Sequence, residues 1–217
     1  MKIKLFFTLL ILFSTCSYAQ VNIIIDDTFG AKNPSKVLAA DLDGDGFKDV
    51  ISLADGVHWY KNFGGQGKFD KPILIEYVDI SDLEFDIDAA DIDGDNDIDL
   101  VYFIKNPTDL NEPILVWSEN IDGQGNFSAS QTLRVLDNVS RLKVDLLDVD
   151  NDGDIDITYS DYTEIGWLEN IDGNANFTDH ILLTSAINYD GYSFSDLNGD
   201  NLMDIVVDYQ NALDFYI

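Results

Sequence analysis

The chain has 217 residues, of which 41 are Asp or Glu and 12 are Lys or Arg, so its formal net charge is −29 at pH 7. A surface this acidic repels phosphates and anionic lipids, which argues against nucleic acid and anionic membranes as partners. Cys16 is the single cysteine, which rules out a disulfide framework within the chain.

Residues 1–19 have the pattern of a bacterial secretory signal peptide. A start with two lysines is followed by an apolar run over residues 5–13, and small residues precede a predicted cleavage after Ala19. The apolar run is too short to span a bilayer. We therefore predict a secreted or cell-surface protein with no membrane insertion after cleavage; acylation of Cys16, as in a lipoprotein, is the alternative.

Four nine-residue loops of one pattern follow in the mature chain, residues 20–217: loop 1 (41–49), loop 2 (91–99), loop 3 (148–156) and loop 4 (196–204). Acidic or amide side chains occupy positions 1, 3, 5 and 9 of each. Ca²⁺ prefers six to eight oxygen ligands, which such a loop can supply if the position 7 carbonyl points inward. The predicted ligands are Asp41, Asp43, Asp45, Phe47 and Asp49; Asp91, Asp93, Asp95, Asp97 and Asp99; Asp148, Asp150, Asp152, Asp154 and Asp156; and Asp196, Asn198, Asp200, Leu202 and Asp204.

Position 6 of each loop is Gly or Asn, the residues that tolerate a positive φ at a sharp turn. An EF-hand would need an acidic residue at position 12 and flanking helices; position 12 is instead Ser52, Tyr102, Tyr159 and Val207. Solvated Asx turns without metal are the remaining alternative. We predict up to four structural Ca²⁺ ions, with loop 4 the weakest because Asn198 replaces a carboxylate.

A second motif recurs in register with the loops. It begins at Trp59, Trp117 and Trp167, with Asn three residues later and Phe ten residues later. The repeats span approximately 36–80, 81–137, 138–187 and 188–217. We predict that the tryptophans pack between neighbouring sheets, with sugar stacking as the alternative. The asparagines, Asn62, Asn120 and Asn170, are predicted to cap a hairpin turn.

Each repeat contains short runs of β-forming residues separated by turn residues. In the first repeat these runs are 37–42, 50–53, 57–63 and 73–78. No segment after residue 19 shows helical periodicity over ten or more residues. The sequence therefore predicts an all-β fold, a β-propeller of four-stranded antiparallel blades.

The loops and the Trp–Asn–Gly–Phe element together resemble FG-GAP/VCBS repeats, the propeller repeats also found in integrin α-subunit heads. The resemblance covers about residues 21–217. It implies a calcium-binding propeller, commonly of seven blades, whereas about four are present here. Either residues 21–27 supply an extra strand that closes a four-blade ring, or the chain is a fragment of a seven-blade ring, which the missing last hairpin favours.

Strand order places the metal loops and the hairpin turns on one face of the propeller. The opposite face carries an insertion in the second repeat, over residues 105–113. Loops on a rigid scaffold are common binding sites, although a tolerated insertion without function is the alternative.

His58 and His180 are the two histidines, and neither belongs to a recognisable catalytic motif. A pair of catalytic carboxylates, as in glycoside hydrolases, remains an alternative, because the sequence does not give the distances between acidic side chains. We predict a non-enzymatic adhesion or protein-interaction module whose partner is an unknown protein or glycan. The alternatives are a carbohydrate-binding lectin, and a scaffold or accessory domain of a polysaccharide-degrading enzyme.

Overall fold

The structure is a computed structural model that describes residues 34–65, 67–79, 85–109, 112–137, 140, 142–161, 163–185, 189–209 and 212–216. The predicted signal peptide and the predicted extra strand at 21–27 lie outside the described residues. Within them, no helix is long and apolar enough to cross a membrane.

The described residues form short strands and one 3₁₀ turn. The elements are β1 Lys36–Leu38, β2 Val50–Leu53, β3 Val57–Tyr60, η1 Phe63–Gly65, β4 Ile73–Glu76, β5 Ile87–Ala90, β6 Asp99–Ile104, β7 Ile114–Ser118, β8 Gln131–Val135, β9 Lys143–Leu147, β10 Asp156–Ser160, β11 Ile165–Leu168, β12 Ile181–Thr184, β13 Tyr189–Ser195, β14 Asp204–Tyr209 and β15 Ala212–Tyr216. The predicted all-β fold is confirmed.

The strands pair as four antiparallel meanders in chain order. Sheets 1, 2 and 3 have four strands each, β1–β4, β5–β8 and β9–β12, and sheet 4 has the three strands β13–β15. The pairing register repeats: Ile51 faces Trp59, Val101 faces Trp117, and Val206 faces Phe215. Phe215 therefore takes the place of the motif tryptophan in the last sheet.

The first strands of neighbouring sheets lie side by side, β1 against β5 and β5 against β9, so the sheets stand next to one another in a β-propeller-like row. In the described residues this row is not closed into a ring. Residues 21–27, the strand predicted to close the ring, lie outside the described residues.

The hydrophobic core lies between the sheets. The middle strands β6 and β10 are buried almost throughout, because a neighbouring sheet covers each of their two faces. Tyr102, Phe103 and Tyr159 are the largest of the fully buried side chains in this core. The outer strands, such as β4, are more exposed.

Carboxylates of β5 and the residue before it join sheet 2 to its neighbours. Asp86 and Asp88 accept hydrogen bonds from the backbone N–H groups of Val144 (3.3 Å) and Leu146 (3.0 Å) on the open edge of β9. Lys36 forms a 2.8 Å salt bridge with Asp86. These side chains satisfy edge groups that would otherwise be unpaired.

Candidate metal centres

Each metal loop connects the first strand of its sheet to the second, and its backbone follows one conformation. Position 6 has a positive φ in all four loops, as predicted: Gly46 87°, Asn96 73°, Gly153 101° and Asn201 71°. Position 4 also has a positive φ, which was not predicted from the sequence. The values are Gly44 67°, Gly94 78°, Asn151 62° and Gly199 81°. Only Gly and Asn fill these eight places, because other side chains strain a left-handed backbone.

The carboxylate at position 1 organises the turn. In loop 1, Asp41 accepts hydrogen bonds from the N–H groups of Asp45 (3.2 Å) and Gly46 (2.8 Å). The position 1 carboxylates of loops 2, 3 and 4 accept the matching bond from position 6 at 3.0, 3.0 and 3.1 Å. The chain therefore wraps around this side chain, which draws the next acidic side chains inward.

Positions 1, 3 and 5 converge in the first three loops. We define triplet 1 as Asp41, Asp43 and Asp45, triplet 2 as Asp91, Asp93 and Asp95, and triplet 3 as Asp148, Asp150 and Asp152. In each triplet, one oxygen per residue lies within 4.8 Å of the others. Ca²⁺–oxygen distances are about 2.3–2.6 Å, so one ion between such oxygens fits the spacing. The donor set is oxygen only, which suits a hard cation.

Loop 4 is arranged differently at position 3. The Asn198 amide donates a 3.0 Å hydrogen bond to Asp200 and accepts one of 2.8 Å from the Asp200 N–H. An amide oxygen carries less negative charge than a carboxylate, so this loop offers the weaker ligand set.

The carboxylate at position 9 fastens the loop to the third strand. Asp99 accepts hydrogen bonds from the N–H groups of Ile92 (3.3 Å) and Asn120 (2.8 Å), one on each oxygen. The matching residues Asp49 and Asp156 make the same pair of contacts. All three are buried. Each carboxylate oxygen retains a second lone pair that is available to a metal ion. The role of the position 9 carboxylates as metal ligands stays a prediction.

The position 7 side chains lie against the hairpin of their own repeat. A Cβ atom at Gly123 would be 2.2 Å from Asp97, and one at Gly173 would be 2.5 Å from Asp154. In repeat 1 the apolar ring of Phe47 lies in the same place over Gly65. The metal loops and hairpins therefore share one face, as predicted. Whether the position 7 carbonyls bind metal stays a prediction.

Two of the three motif asparagines bridge sheets, whereas Asn62 donates to the Lys48 carbonyl of its own repeat. Asn120 Nδ2 donates to the Leu42 carbonyl of loop 1 (2.9 Å), and Asn170 Nδ2 donates to the Ile92 carbonyl of loop 2 (2.8 Å). The predicted hairpin cap is found at Asn120, whose Oδ1 accepts from the Gly125 N–H at 3.1 Å. Sequence reasoning missed the bridges because the bonded residues are 78 positions apart.

Two of the three motif tryptophans, Trp59 and Trp117, pack between sheets, as predicted, whereas Trp167 is half-buried. Trp59 and Trp117 are 4% and 8% exposed. The hairpin of sheet 2 lies on Trp59, since a Cβ atom at Gly125 would be 2.4 Å from the indole ring. Burial of this depth leaves neither ring a face for stacking a sugar.

Burial raises the pKa of two position 9 carboxylates, to about 7 for Asp99 and about 6 for Asp156. Hydrogen bonds from the N–H groups of Asn120 and Asn170 oppose these shifts. Nearby loop carboxylates add to them, Asp93 for Asp99 and Asp150 for Asp156. Without calcium, the negative charges of Asp99 and Asp156 are therefore unfavourable near neutral pH.

A pH dependence of the calcium-free protein follows. The pKa of Asp99 is about 7 in the folded state against about 3.9 for an unfolded Asp, so the folded state binds more protons across this window. Stability should fall as the pH rises from about 4 to about 7. We expect the chelated protein to be more stable to urea at pH 5 than at pH 7.5, on the order of 2 kcal/mol. The variant Asp99→Asn should lose the larger share of this difference, and a rise in stability with pH would contradict the expectation.

The insertion lies on the face opposite the metal loops. Lys105 forms a 3.3 Å salt bridge with Asp79, in the segment between sheets 1 and 2, and the Pro113 carbonyl accepts from the Leu136 N–H at 2.9 Å. Tyr77, in the same connecting segment as Asp79, is 70% exposed. The predicted placement of the insertion beside the inter-sheet connections is confirmed.

His180 belongs to a polar junction between sheets 2 and 3. Its Nδ1 is hydrogen-bonded to the buried Tyr159 hydroxyl, and its Nε2 is 3.7 Å from Glu164. Arg134 of β8 lies 5.5 Å from the Tyr159 ring centroid and 3.4 Å from Glu164. Burial, followed by the Arg134 charge, lowers the pKa of His180. Among the residues described, the three triplets are the groups of His, Cys, Asp or Glu that could hold a metal ion.

The family description FG-GAP-like repeat matches residues 41–102 and 148–207, more than half of the chain. This chain belongs to the FG-GAP-like repeat family. The matched segments contain all four metal loops and begin at position 1 of loops 1 and 3. No curated protein matches the chain.

Solved structures share the fold of this FG-GAP-like repeat protein. An Agrocybe aegerita lectin, described as recognising non-reducing terminal N-acetylglucosamine, is 19% identical with a TM-score of 0.57, over 79% of this chain and 46% of the lectin chain. A Photorhabdus luminescens Tc holotoxin pore is 18% identical with a TM-score of 0.51, over 83% of this chain and 9% of that chain. The chain thus spans less than half the length of each.

Proposed function

We propose that this FG-GAP-like repeat protein is a calcium-stabilised, non-enzymatic adhesion or protein-interaction module that acts outside the cell. The convergence of three aspartate triplets on one face, each at the end of a sheet, carries the proposal. Family membership supports an interaction module. Export rests on the signal-peptide pattern of residues 1–19, and extracellular calcium is plentiful enough to fill weak sites.

Triplets 1, 2 and 3 would hold the ions, and Asp196 with Asp200 would contribute a weaker fourth site. Ca²⁺ would supply charge neutralisation there, because carboxylates this close repel one another. The Asn120 and Asn170 bridges attach the next sheet to loops 1 and 2. A loop ordered by metal would therefore hold two sheets in place, which is a structural role.

The face opposite the loops is the proposed ligand surface. The salt bridge from Lys105 to Asp79 anchors the inserted segment there. Asn106, which is 8% exposed, accepts hydrogen bonds from the N–H and hydroxyl of Thr108 and fixes the first turn of the insertion. A loop anchored in this way on a rigid sheet can present a defined binding surface.

A glycan ligand is the second candidate, and the exposed Tyr77 ring favours it. Aromatic rings of this kind combine an apolar face with a polar tip, which suits a sugar. The structural likeness to an N-acetylglucosamine-recognising lectin agrees with it.

An array carrying immobilised glycans and purified extracellular proteins tests the proposal. We expect calcium-dependent binding that is lost when residues 106–112 are replaced by glycine and serine. Loss of binding in Tyr77→Ala, at glycan spots, would favour the lectin. Release of soluble sugars from polysaccharides, or binding unaffected by EDTA, would contradict a non-enzymatic, calcium-stabilised module.

A further inference from the structure

Repeat 1 differs from repeats 2 and 3 in the side chain that faces its aspartate triplet. Two places after the motif tryptophan is Lys61 in repeat 1, but Glu119 in repeat 2 and Glu169 in repeat 3. The Lys61 ammonium forms a salt bridge with Oδ2 of Asp43, the middle residue of triplet 1. A cation of the protein therefore already lies on an oxygen that a calcium ion would use.

The surroundings hold Lys61 in this position. Its Nζ atom lies 5.9 Å from the ring centroid of Trp59 and 5.8 Å from that of Phe63, within the range of cation–π attraction. The Asp43 side chain is 4% exposed, and apart from the Lys61 ammonium its two buried oxygens have no hydrogen-bond partner. A buried carboxylate needs a charge partner, and the ammonium supplies one.

Repeats 2 and 3 lack the lysine and the second aromatic ring of this arrangement. They retain the motif tryptophan, but Ile121 and Ile171 stand where repeat 1 has Phe63. Glu119 and Glu169 have a negative charge where repeat 1 has the Lys61 ammonium.

The formal charges of the sites differ accordingly. Loop 1 has four Asp and Lys48 and, with Lys61, a net charge of −2 (−4 + 2), whereas loop 2 has five Asp and, with Glu119, a net charge of −6 (−5 − 1). Loop 3 with Glu169 has the same composition as loop 2. Attraction for a divalent cation rises with the negative charge around it.

We propose that Lys61 is an internal cation of loop 1, which replaces part of the charge of calcium. Loops 2 and 3 then bind Ca²⁺ tightly, and loop 1 binds it at least about tenfold more weakly. Removing the ammonium allows loop 1 to bind the calcium ion. The inference rests on the calcium binding proposed above.

Equilibrium dialysis of radioactive Ca²⁺ against the full chain, at about 0.2 mM free ion, tests the inference. We expect Lys61→Glu and Lys61→Met each to bind about one more calcium per chain than the natural sequence. Lys61→Met matters because it removes the ammonium and adds no ligand. Adding Asp43→Asn to Lys61→Met should return the count to its starting value, which places the extra ion in loop 1.

Lys68→Glu is the matched control, since it makes the same charge change from an exposed position in the same hairpin. It should leave the calcium count unchanged. Equal counts for the natural sequence and both Lys61 variants would overturn the inference, and so would a gain confined to Lys61→Glu. Failure of every protein to bind Ca²⁺ at 1 mM would instead refute the proposed calcium role, so the two failures are distinguishable.

Discussion

Chelation of calcium with EDTA should lower the melting temperature of this protein by about 10 °C. At ~1 mM Ca²⁺ and a dissociation constant of ~0.1 mM, each filled site adds about 1.4 kcal/mol to the free energy of unfolding. Triplets 2 and 3, with a smaller share from the weaker triplet 1, would contribute about 3 kcal/mol, and about 2–4 °C per kcal/mol is typical of a chain of this size. Scanning fluorimetry with and without EDTA measures the shift.

Two variants make the expected shift specific to the metal loops. Asp93→Asn weakens triplet 2 and should reduce the EDTA effect by up to about half. Asp55→Asn changes the same charge in the turn between β2 and β3, where the side chain is 69% exposed, and should leave the EDTA effect intact. A melting temperature that does not respond to EDTA would show that calcium has no structural role.

The variant Asn120→Ala should destabilise the protein by about 3 kcal/mol. Asn120 is fully buried, and its side chain donates to the carbonyls of Leu42 (2.9 Å) and Ile98 (3.3 Å) and accepts from the Gly125 N–H. Alanine would leave these buried backbone groups without partners, which costs about 1 kcal/mol or more each. Urea unfolding in saturating calcium measures the loss.

Asn62→Ala is the matched control for Asn120→Ala. Asn62 occupies the same motif position, but its side chain donates a 2.9 Å hydrogen bond to Lys48 in its own sheet. It should cost about 1 kcal/mol. Equal losses for the two variants would show that the bridge from sheet 2 to loop 1 adds nothing to stability.

Local features of the fold were predictable from the sequence. The predicted run 50–53 coincides with β2, and the Gly and Asn residues at position 6 have the expected positive φ. Both depend on neighbouring residues, namely side-chain alternation and the left-handed backbone of the turn. The run predicted over 37–42 is too long: β1 ends at Leu38, although Ala40 still accepts a 2.7 Å hydrogen bond from Asp49.

The spacing of the acidic residues in the candidate site was predictable from the sequence, but their hydrogen-bond partners were not. The alternation of Asp along loops 1, 2 and 3 was enough to identify the three triplets, because residues two apart in a tight turn point to one centre. That both oxygens of Asp99 accept hydrogen bonds from backbone N–H groups was not predictable, since one donor, Asn120, is 21 residues away.

The sequence by itself determined the strands, the turns, the repeat register and the acidic loops, because these follow from interactions between near neighbours. The tertiary structure decided the contacts between sheets, including the Asn120 bridge to loop 1, 78 residues distant, and the burial of Trp59 under the hairpin of sheet 2. It also placed the Lys61 ammonium on Asp43. Such contacts depend on how strands and sheets stack, and no local pattern encodes that packing.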